Sequence, residues 1–368
     1  MNIKNHSKSK KNVLSRKNAE KRFIEISYKT SGRVLSCLVI NYVSKILRFD
    51  EKNFFLSGIS ATIVSVTIYI ISLITHLLSN HLIVSANPFI VIAIPSMFTG
   101  LAFGVIKYMH DITLPPNRER LSNFPYDQNG LQELCKWFDS KFLLKQQLLT
   151  SFIFAISTTL SAWILLAKFP DIRNNLGFLF ASFCGLFSVG NGVYSATVIP
   201  TLSIAISKNR MNLYPLDPSN TTTLQEMTSA FGKLSLATGI FSTILIIIIF
   251  LLQPTNSSLA IAAFWLFVGW GTSIYSFVYP VLNLAKAVKR EKKLQLELFE
   301  IEISIMYKGL KTLSRDHLSK LETLAKMRQT VFSSSDNPLN FSGARNFFVS
   351  ILMPFASFLV GVLGVLKN

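Results

Sequence analysis

The chain has 368 residues, half of them apolar and 12% aromatic, and only 15% are charged, where ordinary globular chains carry about 25%. Its net charge of +18 would suit a nucleic-acid binder if the basic residues formed one patch. They do not: they are parcelled out between long apolar runs, and topology in a membrane explains them. Three cysteines, Cys37, Cys135 and Cys184, share no spacing of a metal site or a disulfide framework. Neither nucleic acid nor metal nor cofactor is expected.

Residues 1 to 21 are rich in Lys, Asn and Ser, too polar to bury a core, and residues 1 to 32 are expected to be a disordered basic tail. Over 33 to 52 the pattern is amphipathic: Leu35, Leu38, Val39, Tyr42, Val43 and Ile46 share one helical face, with Arg33, Ser36, Asn41, Lys45 and Arg48 opposite. Placed directly before an apolar run, this reads as a helix lying in the membrane interface, with docking on the cytoplasmic loops as the rival.

Six apolar stretches follow, at 54 to 78, 86 to 109, 147 to 168, 177 to 206, 234 to 252 and 259 to 285. Each meets the requirement of about 20 residues for crossing a ~30 Å hydrocarbon layer. They make a bundle over 53 to 285, and a seventh stretch, 347 to 366, lies near the end of the chain. The predicted fold is therefore all-α, a polytopic membrane protein of about seven transmembrane helices. Thirteen Lys and Arg precede residue 53 and twelve lie between 286 and 345, whereas 79 to 85 and 253 to 258 carry no charge. By the positive-inside rule the N-terminus and residues 110 to 146, 207 to 233 and 286 to 346 are cytoplasmic, in a plasma membrane of the bacterial inner type, and residues 347 to 368 form a last span with an external end.

Two cytoplasmic connections repeat a phrase, FPYDQNGLQELCKWF at 124 to 138 and YPLDPSNTTTLQEMTSAF at 214 to 231. Each reads as a turn that starts a helix: proline fixes φ, and Asp127 or Asp217 can accept from free N–H groups. Leu131, Leu134 and Phe138 then form an apolar face, as do Leu224, Met227 and Phe231. A docked surface helix explains both copies; a ligand site built on Asp127, Glu133, Asp217 and Glu226 is the sharper alternative. The inward-running spans also resemble one another, each with a proline, Pro95, Pro200 and Pro280, and the last two with a Gly-x-Gly upstream. Duplication of a two-span unit accounts for these matches.

Between 286 and 333, Leu294, Leu298, Ile301 and Ile305, and then Leu310, Leu313, Leu321 and Leu324, recur at helical spacing on either side of Gly309. Two helices broken near Gly309 are expected, the first continuing from the sixth span. The half before Gly309 is expected to dock on the shorter loops, and residues 310 to 333 to form a homo-oligomer or protein-partner contact.

The cores of the spans are expected to hold no ionisable residue, and they offer no catalytic pair or phosphate loop. Their most polar patch is Asn191, Tyr194, Ser195 and Thr197 beside Gly190 and Gly192, faced in expectation by Thr272, Ser273, Tyr275 and Ser276. Loosened helices of this kind bind substrate in transporters, but small residues are also ordinary packing residues in lipid, as the Gly100-x-x-x-Gly104 spacing shows. The composition favours a membrane scaffold, sensor or effector that is not an enzyme. The rivals are a carrier or channel for an uncharged or weakly polar solute and, third, an intramembrane enzyme.

Overall fold

The computed structural model describes residues 20–26, 33–50, 53–79, 83–84, 87–113, 128–166, 169–252, 256–308 and 315–367. Among these the secondary structure is helical, with no strand. The helices are α1 (Leu35–Ile46), α2 (Phe54–Leu78), α3 (Pro88–Thr113), α4 (Gln128–Lys141), α5 (Leu144–Leu165), α6 (Leu176–Val198), α7 (Leu202–Ser207), α8 (Thr222–Leu252), α9 (Asn256–Lys308), α10 (Arg315–Ser333) and α11 (Phe341–Lys367).

Six helices are long and apolar enough to cross a membrane, over Phe55–Leu78, Pro88–Asp111, Leu176–Ser207, Thr222–Phe250, Ser258–Tyr307 and Phe341–Leu366. The predicted third span falls on α5, which is not among them. Its first turns carry Lys145, Gln146 and Gln147, and Ser or Thr recurs at 150, 151 and 157 to 159, which dilutes its hydropathy. Of the tail predicted over 1 to 32, the structure describes residues 20 to 26, which are helical with Phe23 fully buried. Phe23, Ile24 and Ile26 are a local exception to the tail's polarity.

The chain divides into two compact units. One holds residues 26–115 and 138–198. Within it α6 packs on α2, α3 and α5, and α1 lies along α2 and α3. Helix α1 turns a side with small hydroxyl residues toward the protein and leaves part of its apolar face exposed. Ser36, Cys37, Ile40 and Ser44 are buried, Ser44 Oγ lies 2.8 Å from Ser60 Oγ, and Leu38, Tyr42 and Ile46 are exposed. Gly100 supplies the expected close approach: a Cβ there would stand 2.1 Å from the Ala61 carbonyl oxygen of α2.

The second unit holds residues 1–25, 116–137 and 199–368. Its framework is α8, α9 and α11 in mutual contact, with Ile246, Ala262 and Leu266 at the centre and Trp265, Trp270 and Phe358 around them. The sixth predicted span runs on as one uninterrupted helix, α9, of 53 residues, to Lys308. Pro280 lies inside it and Pro95 inside α3, whereas Pro200 sits in a 3-10 turn, Ile199–Thr201. Gly309 falls outside the described residues.

Candidate functional site

The Gly-x-Gly of α6 is a packing feature first. A Cβ on Gly190 would stand 2.8 Å from Ser151 Cα of α5, and one on Gly192 would be 3.4 Å from Ile106 of α3. The glycine at the matching place in α9, Gly269, meets Ser242 of α8 in the same manner. In both cases the first glycine of the pair admits the preceding long helix.

Around Gly190 the polar side chains bond to structure. Fully buried Asn191 donates from Nδ2 to Gln147 Oε1 over 3.3 Å, and its own Oδ1 has no hydrogen-bond partner. Gln147, also fully buried, does the organising: its Oε1 accepts from Leu35 N at 2.9 Å and its Nε2 donates to the Arg33 carbonyl at 3.2 Å. Helix α1 begins at Val34 without a side-chain cap of its own, so a glutamine from α5 performs that role. The Tyr194 hydroxyl donates to the Lys141 carbonyl at the end of α4 and lies 3.0 Å from Gln146 Oε1. Ser195 Oγ is 3.4 Å from Nε2 of buried His110, and Thr197 donates to the Tyr194 carbonyl.

The second half of the predicted polar patch belongs to the other unit and has partners there. Thr272 donates to carbonyls one turn back. Ser273 Oγ is 3.0 Å from Thr238 Oγ1, and its carbonyl accepts from Ser235, whose hydroxyl also meets Ser350 at 2.8 Å. Tyr275 stacks on Tyr279 at 5.1 Å, and Ser276 Oγ is buried without a partner.

Of the loop residues, Asp127 lies outside the described residues. Glu133 is exposed and accepts from Asn209 Nδ2 at 2.7 Å. Asp217 begins the 3-10 turn Pro218–Asn220, with its carboxylate accepting from Ser219 at 2.7 Å. Glu226 is half-buried one turn into α8. The expected apolar faces are present in both copies: Leu131, Leu134, Phe138, Leu224, Met227 and Phe231 are all buried.

Two charged groups escape a reading by residue pattern. Glu291 of α9 is buried, accepts from the Met211 backbone N–H at 3.3 Å and faces Arg210 and Arg290 at 3.9 and 3.7 Å. Arg290 in turn donates to the carbonyls of Ser207, Lys208 and Asn209, the free end of α7. A cation at a helix C-terminus is favourable, and this one ties the linker before the second phrase to α9. The other is Lys107, buried near the C-terminal end of α3 with Asp111 at 2.6 Å one turn on, which corrects the expectation of spans without ionisable residues. Its signal was available: a lysine inside a predicted span with an acid at i+4 is a functional flag by default.

No protein-family model matches the chain, and no curated protein or solved structure shows significant similarity to it. Fold and composition therefore define the class alone: an all-α polytopic membrane protein.

Proposed function

We propose that the chain is a non-enzymatic membrane scaffold, sensor or effector of the inner membrane, with α5 crossing as a further span and the N-terminus in the cytoplasm, and that it acts by self-association through the cytoplasmic end of α9. One observation carries this reading. Beyond the apolar part of α9, Leu298, Ile301 and Ile305 are exposed at 61%, 56% and 66%. With half-buried Leu294 they follow a 4-3-4 spacing, the seam of a short coiled coil. Burying each such side chain is worth about 1.5 to 3 kcal/mol, a strong drive for a second copy held in the same membrane. The contact surface thereby moves from 310 to 333 onto 294 to 305. Helix α10 folds back along α9, with Leu321 and Leu324 half-buried, Val331 fully buried and Arg328 bonded to Glu300 at 2.8 Å.

The carrier reading draws less support, because Asn191, Tyr194, Ser273 and Thr272 direct their hydrogen bonds into helix packing. Light scattering of the full chain in detergent tests the proposal. Wild type is expected as a dimer or larger, and the triple variant Leu298→Asp, Ile301→Asp, Ile305→Asp as a monomer that still inserts and accumulates. Identical masses for the two proteins would sink it.

A further inference from the structure

The unit built on α2, α3, α5 and α6 carries a cleft of about 780 Å³ between α2 and α3, within the range of ligand sites, ~300–1,000 Å³. It runs from Ser57 and Asp111 at one end to Tyr69 and Ala93 at the other. The twelve helical steps from Ser57 to Tyr69 span about 18 Å at 1.5 Å each, close to the ~15 Å of one leaflet's hydrocarbon. Its lips are exposed apolar side chains, Val66, Met97, Leu101 and Tyr108.

Midway along the wall three hydroxyls are already engaged within the protein. Thr62 donates to the Gly58 carbonyl, Ser96 to that of Ile92, and Ser65 across to that of Met97, at 3.0, 2.8 and 3.3 Å. A second helix is a poor filling, because close helix contact in lipid needs small residues free to receive it. Gly100 is already closed off by Ala61 and Ser65 of α2, and Gly104 by Ala61, leaving Gly58 alone with open space where a Cβ would project. A flexible hydrocarbon chain suits a narrow apolar cleft of this kind.

The inner end differs in chemistry. Lys107 and Asp111 form their ion pair there, and the two are unequally placed: the lysine side chain is 5% exposed and the aspartate 47%. The cleft therefore shows the headgroup region a carboxylate, held in place by a lysine hidden behind it. We propose that this cleft binds one acyl chain of an amine-headed phospholipid, whose ammonium group meets the Asp111 carboxylate. A primary ammonium can donate hydrogen bonds to that carboxylate, whereas a trimethylated head cannot and an anionic head is repelled.

Native mass spectrometry of the full chain, titrated in detergent with phosphatidylethanolamine, phosphatidylcholine or phosphatidylglycerol of identical acyl chains, tests the site. Wild type is expected to retain one phosphatidylethanolamine, with the other two weaker by about tenfold, a single good charge-assisted contact. Gly58→Leu plugs the cleft from a position where an added Cβ meets no neighbour, and is expected to lose retention of all three lipids with an unchanged melting temperature. Because Asp111→Asn alone would strand the buried lysine, the head is tested in the double variant Lys107→Gln, Asp111→Asn, which should keep lipid and lose the preference among heads. Retention by Gly58→Leu equal to wild type would overturn the site. So would a change of oligomeric state in that variant with lipid unaffected, since a second copy would then be the occupant. Equal retention of the three lipids by wild type would overturn the headgroup assignment.

Discussion

The two copies of the repeated phrase begin alike and end differently. In the second, the helix that starts at Thr222 runs without interruption to Leu252; in the first, α4 stops at Lys141 and α5 starts at Leu144. The copies agree as far as the buried Phe138 and Phe231 and diverge in the residues after them. Asp139, Phe142 and Gln146 of the first copy stand where the second has Gly232, Ser235 and Gly239. The small set lets α11 lie directly on α8: a Cβ on Gly232 would be 2.5 Å from Gly343 Cα, one on Gly239 would be 2.5 Å from the Ser350 carbonyl oxygen, and Ser235 bonds Ser350 between them. The large set admits no such neighbour. Phe142 is buried edge-on to His110 at the break, the Tyr194 hydroxyl takes up the Lys141 carbonyl, and the Leu143 carbonyl accepts the first bonds of α5. One phrase can thus start either a surface helix or a long span, and side-chain size one turn later decides which.

The most forceful way to break this comparison is to make the second copy large. Gly232→Leu puts a side chain into backbone, which cannot yield as a flexible neighbour would. It is expected to cost about 3 kcal/mol or more, the upper end of overpacking effects. Asp139→Leu, at the matching exposed position, should change stability by about 0.5 kcal/mol or less, as surface substitutions do. Thermal unfolding of both variants in one detergent measures the gap. Equal destabilisation would mean that size at this position does not separate the copies.

A second difference can be sharpened at Gln147, whose counterpart is Ile240. Gln147 is fully buried and holds three partners; Ile240 is 38% exposed. Gln147→Ala removes the borrowed cap of α1 and strands the Leu35 N–H and the Arg33 carbonyl, at about 1 to 3 kcal/mol for a buried unsatisfied group. We expect a loss of about 2 kcal/mol on that scale, together with faster protease cleavage near α1. Ile240→Ala should show neither. An unchanged cleavage rate in Gln147→Ala would leave α1 held by its other contacts.

Much of this was legible before the coordinates. Helical spacing gave the apolar faces of both phrases and the continuity of α9, because apolar periodicity reports directly what packs. It did not show which side of α1 packs on protein, because that side includes Ser36 and Ser44; a hydroxyl pair such as Ser44 with Ser60 packs two helices as closely as methyl groups do, and a count of apolar residues does not register it. Lys107, inside the predicted second span, carried a signal of its own, and only its pairing was obscured. Its partner Asp111 lies beyond the predicted end of the span, so the pair was divided between a membrane segment and a loop. The exposed face at 298 to 305 and the half-buried one at 321 and 324 were expected in reverse, since periodicity finds a stripe without saying which neighbour covers it.

The smallest effect separates the polar patch of the first copy from a substrate site. Asn191 makes one long bond, to a glutamine that has two shorter ones, and its Oδ1 is buried without a partner. Asn191→Ala gives up that weak bond but also removes an unsatisfied buried acceptor, and the two effects oppose each other. Polar contacts between helices in lipid average about 0.6 kcal/mol, so the net change should be about that or less. The melting temperature should scarcely move, and the protease sensitivity of α1 should stay at the wild-type level because Gln147 keeps its bonds to Leu35 and Arg33. If Asn191→Ala instead loosened α1 as much as Gln147→Ala, the amide would be orienting the glutamine, and the network that distinguishes this copy would begin at α6 instead of α5.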